Sequence, residues 1–178
     1  MLFRSVSQSR YSLQTGAYSF FEAKLLSITV RSNVKYYFEA SSPSIIKEFL
    51  ASCELFSVQL DEKLKKALEL FASQTVKKGS PLIFSNDQKA ILEDYQATQA
   101  SIDGESLELL KGFIGENLAL FDDGDIKSIA LPVLARNKLS NGISQNLWYE
   151  EVVPKQSKFY LFIVTGKQIG RASCRERV

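Results

Sequence analysis

Apolar residues between positions 45 and 56 fall at three- and four-residue spacing. Ile45, Ile46, Phe49, Leu50, Cys53 and Phe56 make one stripe of a helix. Ser42-Pro43 just ahead of them supplies an N-cap and a first-turn proline. A second amphipathic run follows Asp61, with Leu64, Ala67, Leu68 and Phe71 on one side and Lys63, Lys65 and Lys66 on the other. A third opens at Asp103-Gly104, with Leu107, Leu110, Phe113 and Ile114 turned inward.

Between these helices the pattern is that of strands. The aromatic and β-branched stretch 18–30 predicts a strand over its second half, and Val34–Ala40 predicts another. Lys77 to Pro81 reads as a turn, Leu82–Phe84 as a short strand, and Ala90–Thr98 as strand or helix. Leu118–Phe121 is strand-like, and Asp122-Asp123-Gly124-Asp125 leads into one helical turn. Leu131–Leu139 and Ile143–Val153 are extended and flank Asn141-Gly142, a two-residue hairpin signal. Pro154-Lys155 turns the chain into an apolar last strand, Phe159–Val164. Helices and strands mix without a regular βαβ alternation, so the fold class expected is α+β in one domain.

The two ends change the charge. Ile169 to Val178 back-translates as ATC GGA AGA GCG TCG TGT AGG GAA AGA GTG, a common sequencing adapter, and Gln168 as CAG supplies the AG before it. Met1 to Ser5 matches GTG CTC TTC CGA TCT, the opposite adapter. Residues 1–5 and 168–178 are therefore expected to be adapter-derived, with 6–167 the natural segment. The ends hold Arg4, Arg171, Arg175, Arg177 and Glu176. That leaves 18 basic and 19 acidic residues, a net charge near −1 rather than the +2 of the full chain. Nucleic-acid contact would have to come from a local basic surface.

The segment holds one cysteine, Cys53, which permits no intrachain disulfide, and the chain has no histidine to serve as acid, base or metal ligand. No long uncharged apolar run supports a membrane partner.

The acidic pair Glu150-Glu151 sits in an extended segment, so its carboxylates point to opposite faces. One at most faces a site, and the plainer alternative is a solvated strand end. Asp122, Asp123 and Asp125 lack the remaining ligands of a calcium loop and are better read as helix caps. No Gly-x-Ser-x-Gly elbow or Gly-rich phosphate loop is present. Arg136, Asn137 and Lys138, with Asn141 and Gln145 around the turn, put cationic and amide groups on one hairpin, suited to phosphates and base edges or to plain solvation. Arg31 and Ser32, followed by Lys35, make a second such group, a phosphate contact or ordinary surface. Trp148 and Tyr149 could stack on bases, while burial in a core is the commoner role of a tryptophan.

Two blocks resemble a known family. One runs from Gln14 through Gly16, Glu22-Ala-Lys-Leu-Leu26 and Val30-Arg-Ser32 into the Ser42-Pro43 helix start. The other runs from Leu131 to Tyr160 and contains Leu147-Trp-Tyr-Glu-Glu-Val-Val-Pro154, the most specific element. Order and spacing are similar to those of the backbone (RAMP superfamily) subunit of type III-B, Cmr-type CRISPR effector complexes. Thr29 departs from the family's usual proline, and residues 57–115 match only in general helical character.

The resemblance implies a ferredoxin-like (RRM-like) palm with a helical insertion and a β-hairpin thumb, incomplete at both ends. It implies CRISPR RNA and target RNA as partners, copies of the subunit in a filament, other Cmr-type subunits beside them, and a prokaryotic cytoplasmic setting. The thumb would fall at Arg136 to Gln145, with Glu150 and Glu151 supporting a nearby cleavage site. The family is a metal-dependent endoribonuclease, using Mg or a similar divalent ion. Its catalytic Asp loop would lie upstream of Val6, so no metal is expected on this segment. The alternative is a non-catalytic RAMP scaffold of another type III complex. A small-molecule enzyme built on Glu150 or Glu151 finds no motif in its support.

Overall fold

The computed structural model describes residues 18–165, apart from 88 and 142. The adapter-like ends, the Gln14-to-Ala17 start of the first family block, and Gly142 lie outside the described residues.

The strands and helices alternate irregularly. β1 (Tyr18–Phe20), β2 (Lys24–Val30) and β3 (Phe38–Ser41) precede α1 (Pro43–Leu55) and α2 (Glu62–Ala72). Four two-residue strands follow: β4 (Leu82–Ile83), β5 (Ile91–Leu92), β6 (Tyr95–Gln96) and β7 (Thr98–Gln99). Then come α3 (Gly104–Phe113), β8 (Leu118–Leu120) and α4 (Asp123–Lys127). The chain ends in β9 (Val133–Ser140), β10 (Ile143–Glu151), β11 (Lys158–Tyr160) and β12 (Ile163–Thr165).

A six-stranded mixed sheet organises the molecule, in the order β11-β2-β3-β8-β4-β7. Its middle pair, β3 and β8, is parallel, and β2 and β4 flank that pair antiparallel. The fold is thus the mixed α+β that the pattern predicts.

The helices start where the sequence places them. Ser42 caps α1, Asp61 caps α2, Asp103 caps α3 and Asp122 caps α4, each accepting a backbone N–H of the first turn. Each cap satisfies an N–H that would otherwise lack an intrahelical partner. The three long helices bury Ile46, Phe49, Leu50, Leu68, Phe71 and Leu110 against one sheet face. The other face carries a second core of Ile28, Val30, Phe38, Ile83, Leu92 and Phe121. β8 serves both cores, because alternate residues of a strand point to opposite sides: Leu118 and Leu120 to one, Ala119 to the other.

Two expectations change and one open alternative is settled. The strand predicted over Val34–Ala40 begins only at Phe38. Before it the chain bends, since Asn33 donates its side-chain amide to the Lys89 carbonyl and accepts from the Ile91 N–H. The last strand, predicted as one run over Phe159–Val164, is two. β11 pairs with β2, β12 pairs with β1, and Phe162 between them turns into the core and stacks on Phe56 at 4.3 Å. The stretch 90–98 is strand, not helix: β5 and β6 form a tight hairpin.

Candidate nucleic-acid interface

β9 and β10 form a two-stranded antiparallel ribbon that belongs to no larger sheet. Ser140 pairs with Ile143, so the connection is the two-residue turn that Asn141-Gly142 signals, and Asn141 adopts the left-handed conformation at φ 51. Asparagine tolerates that region better than most residues. The register slips between Ser144 and Asn146, which places Gln145 in a bulge.

The pairing sorts the hairpin into two faces. Leu134, Arg136 and Lys138 stand opposite Glu150, Trp148 and Asn146 on one face. Val133, Ala135, Asn137 and Leu139 stand opposite Glu151, Tyr149, Leu147 and Ser144 on the other. Both faces are open along almost all of β9 and β10, and among the described residues no core lies beneath the ribbon.

Trp148 is therefore not a core tryptophan; it is 39% exposed and Tyr149 is 69% exposed. The core reading failed because it assumed that this strand packs on the sheet. Instead, the Trp148 Nε1–H donates to Glu150 Oε1 at 2.8 Å, and Arg136 Nε–H donates to Glu150 Oε2 at 3.0 Å. The bond from Trp148, then that from Arg136, holds the Glu150 carboxyl below its ordinary pKa. Asn137 accepts from the Ser144 hydroxyl at 2.8 Å on the opposite face from Lys138. The sequence neighbours Arg136, Asn137 and Lys138 are thus divided: the two cations share a face with Trp148, and Asn137 does not.

Glu150 and Glu151 do lie on opposite faces. With both Glu150 oxygens accepting from Trp148 and Arg136, its carboxylate orients those two groups. The Asp122–Asp125 segment acts as structure too. Asp122 caps α4, Asp123 accepts from the Ser44 N–H, and Asp125 accepts from the Gly79 N–H. Among the described residues no cluster of three or more His, Cys, Asp or Glu could hold a metal ion.

Arg31 lies at the foot of the hairpin, not its tip. A cleft of 560 Å³ separates the end of β2 from the segments leading into β9 and out of β10, and is lined by Thr29, Arg31, Tyr36, Glu93, Pro132 and Lys155 among others. The Thr29 hydroxyl donates to the Lys155 carbonyl at 2.8 Å and fixes one wall, which gives a role to the threonine that stands in place of the family's proline.

Glu93 grips Arg31 at three points: Oε1 accepts from the Arg31 backbone N–H at 2.7 Å, and Oε2 from Nε at 2.9 Å and Nη2 at 2.5 Å. Lys35, in a neighbouring cleft, pairs with Asp87 at 2.9 Å and donates to Asn117 Oδ1 at 3.0 Å. Ser32 accepts from the Val34 N–H at 3.2 Å and shapes the bend. Each candidate cation of this group is therefore matched by a carboxylate from the 87–93 segment.

Tyr36, Lys155 and Glu93 escaped the sequence reading. Reading 34–40 as a strand hid Tyr36, whose side chain is fully exposed on the bend that replaces it.

No family model matches the chain. It is 26% identical over 168 residues to the CRISPR system Cmr endoribonuclease Cmr4 of Pyrococcus furiosus, a match covering 85% of this chain and 56% of that protein. The chain thus spans just over half the length of this relative. Among solved structures it is similar to the type III-B Cmr-beta complex in its apo state, at TM-score 0.62, with 17% identity and coverage of 88% of this chain and 59% of that one. The same complex bound to cognate target RNA gives 0.58 at 16% identity, covering 89% and 69%. Oligomeric Cmr4 from Pyrococcus furiosus gives 0.57 at 20% identity, covering 84% and 57%. The structural likenesses establish the shared fold. With the sequence match, the resemblance to Cmr-type backbone subunits holds.

Proposed function

We propose that the chain is the palm and thumb of a guide-RNA-binding backbone subunit of a type III-B RNA-guided complex, in a prokaryotic cytoplasm, with residues 6–167 as the natural portion. One observation carries this reading. A nine-residue strand and its partner leave the sheet as a hairpin without a core and present Arg136, Lys138 and Trp148 together on one face. The tryptophan, 39% exposed beside two cations, makes a face that a partner can cover. An RNA strand offers phosphates to the cations and base faces to the ring.

The middle strands β2-β3-β8-β4 run antiparallel, parallel, antiparallel. A ferredoxin-like palm has this arrangement, and helices on one face support that finer assignment. The relative from Pyrococcus furiosus is an endoribonuclease, and structures similar to this chain include a target-RNA complex and an oligomer. These support CRISPR RNA, target RNA, further copies of the chain and other Cmr-type subunits as its partners. Among the described residues no helix is long and apolar enough to cross a membrane.

A second reading is an RNA-binding scaffold without cutting. The Glu150 carboxylate accepts from Trp148 and Arg136, and Glu151 lies on the other face. In either reading these two residues serve the hairpin and leave cutting to other groups.

The test is binding of a fluorescent single-stranded RNA followed by anisotropy at low and moderate salt. Salt-sensitive binding, weakened when Arg136 and Lys138 are replaced together, is expected. Absence of binding at low salt overturns the proposal.

A further inference from the structure

We infer that the cleft at the hairpin's foot is a subsite for one unstacked nucleotide of single-stranded RNA, with Tyr36 as the stacking platform and Arg31 as the phosphate ligand. The inference rests on the RNA-binding reading and adds a site remote from the hairpin tip. Its volume of 560 Å³ lies within the range of small-molecule sites, roughly 300–1,000 Å³.

Tyr36 is 99% exposed, so its ring is covered by no described part of the chain. It projects from a bend anchored on both sides. Asn33 is bonded to Lys89 and Ile91, and Phe38, two residues further on, is fully buried. An uncovered ring on an anchored stretch of backbone suits base stacking, since its faces are open to a base.

Arg31 is exposed but not loose. Glu93, itself mostly covered, fixes the guanidinium through Nε and Nη2. A guanidinium carries five N–H donors. Three remain uncommitted to Glu93, and they form the fork that binds phosphate. Glu93 is a positioning residue here: it costs net charge and sets orientation. Lys155, across the cleft, restores a positive charge. A base within a duplex has both faces stacked on its neighbours, so Tyr36 can take only an unstacked one.

The experiment uses the whole chain and a single-stranded RNA containing 2-aminopurine, whose fluorescence falls on stacking. Quenching on binding is expected. Tyr36→Ala is expected to abolish the quenching and raise Kd about 5- to 150-fold, the range for one lost stacking contact. Tyr36→Phe is expected to stay within about twofold, because the ring carries the contact. Because Tyr36 is uncovered, both variants should keep the wild-type melting temperature. Glu93→Gln is expected to weaken binding by loosening Arg31; tighter binding would overturn the positioning role.

RNA binding with wild-type affinity and full quenching in Tyr36→Ala would overturn the subsite and leave the functional proposal intact. Absence of RNA binding by the wild-type chain would overturn both. Free AMP bound as tightly as the RNA would overturn the assignment to an RNA nucleotide.

Discussion

Glu39 packs against Gly115 at the end of the central sheet, held there by two hydrogen bonds to Asn117. Glu39 is 6% exposed, and its Oε2 accepts the Asn117 N–H at 2.9 Å while its own N–H donates to the Asn117 carbonyl at 2.7 Å. Gly115 has φ 149, and a Cβ there would overlap the Glu39 Cδ and Oε1. Gly115→Ala is expected to destabilise the chain by about 1–3 kcal/mol from backbone strain alone, and by more through the overlap. Thermal unfolding should show a melting temperature several degrees lower; an unchanged value would contradict the contact.

Trp148 is the chain's only tryptophan, so its fluorescence reports on Glu150. The folded carboxyl is held below its ordinary value of 4.5, first by the Trp148 bond and then by Arg136. A depressed folded pKa gives stabilisation that is present above the unfolded value and lost as pH falls through the folded one. The emission of Trp148 should therefore be constant through neutral and mildly acidic pH and change only below about 4.5. Glu150→Gln should remove the transition. A midpoint above the ordinary carboxylate range would refute the assignment.

Lys138 and Arg136 share a face but not a charge balance, since Glu150 pairs with Arg136. Lys138→Ala is expected to lower the salt slope of RNA binding by about 0.7, the value for one phosphate contact to a single strand. Arg136→Ala should lower it less, because Glu150 offsets part of its charge. Equal slopes for all variants would show that the RNA lies elsewhere.

The exposed apolar residues of the hairpin should matter little to stability. Leu139→Ser with Leu147→Ser is expected to leave the melting temperature nearly unchanged, because both residues sit on a ribbon with no core behind it. Phe121→Ala, by contrast, empties a fully buried site against Tyr95 and should cost about 3–5 kcal/mol. Denaturant unfolding of the two variants measures the difference. Comparable losses would mean that the hairpin packs on the body of the chain.

Local signals were legible in the sequence where a short-range rule decides the outcome. The four caps, Ser42, Asp61, Asp103 and Asp122, were readable because a cap bonds to an N–H two or three residues away. The Asn141 turn was readable because left-handed backbone restricts residue choice. The opposed directions of Glu150 and Glu151 followed from strand periodicity alone.

What failed were statements about what lies behind a segment. The aromatic content of 34–40 argued for a strand, but Asn33 draws the chain toward residues 89 and 91, which lie far along the sequence. Trp148 looked like core because tryptophan usually is, yet its strand pairs only with β9. Tyr36 and Glu93 carried no signal at all, since each acquires its role from a residue or cleft on another part of the chain.

By itself, the sequence determined the mixed α+β class, the helix starts, the hairpin and the likeness to Cmr-type backbone subunits, because periodicity, capping and turn chemistry act within a few residues. Only the tertiary structure decided that the hairpin stands clear of both cores, that Glu150 is tied to Arg136 and Trp148, and that Arg31 is held by Glu93 beside Tyr36. Those relationships join residues up to 62 positions apart, and no local rule reaches that far.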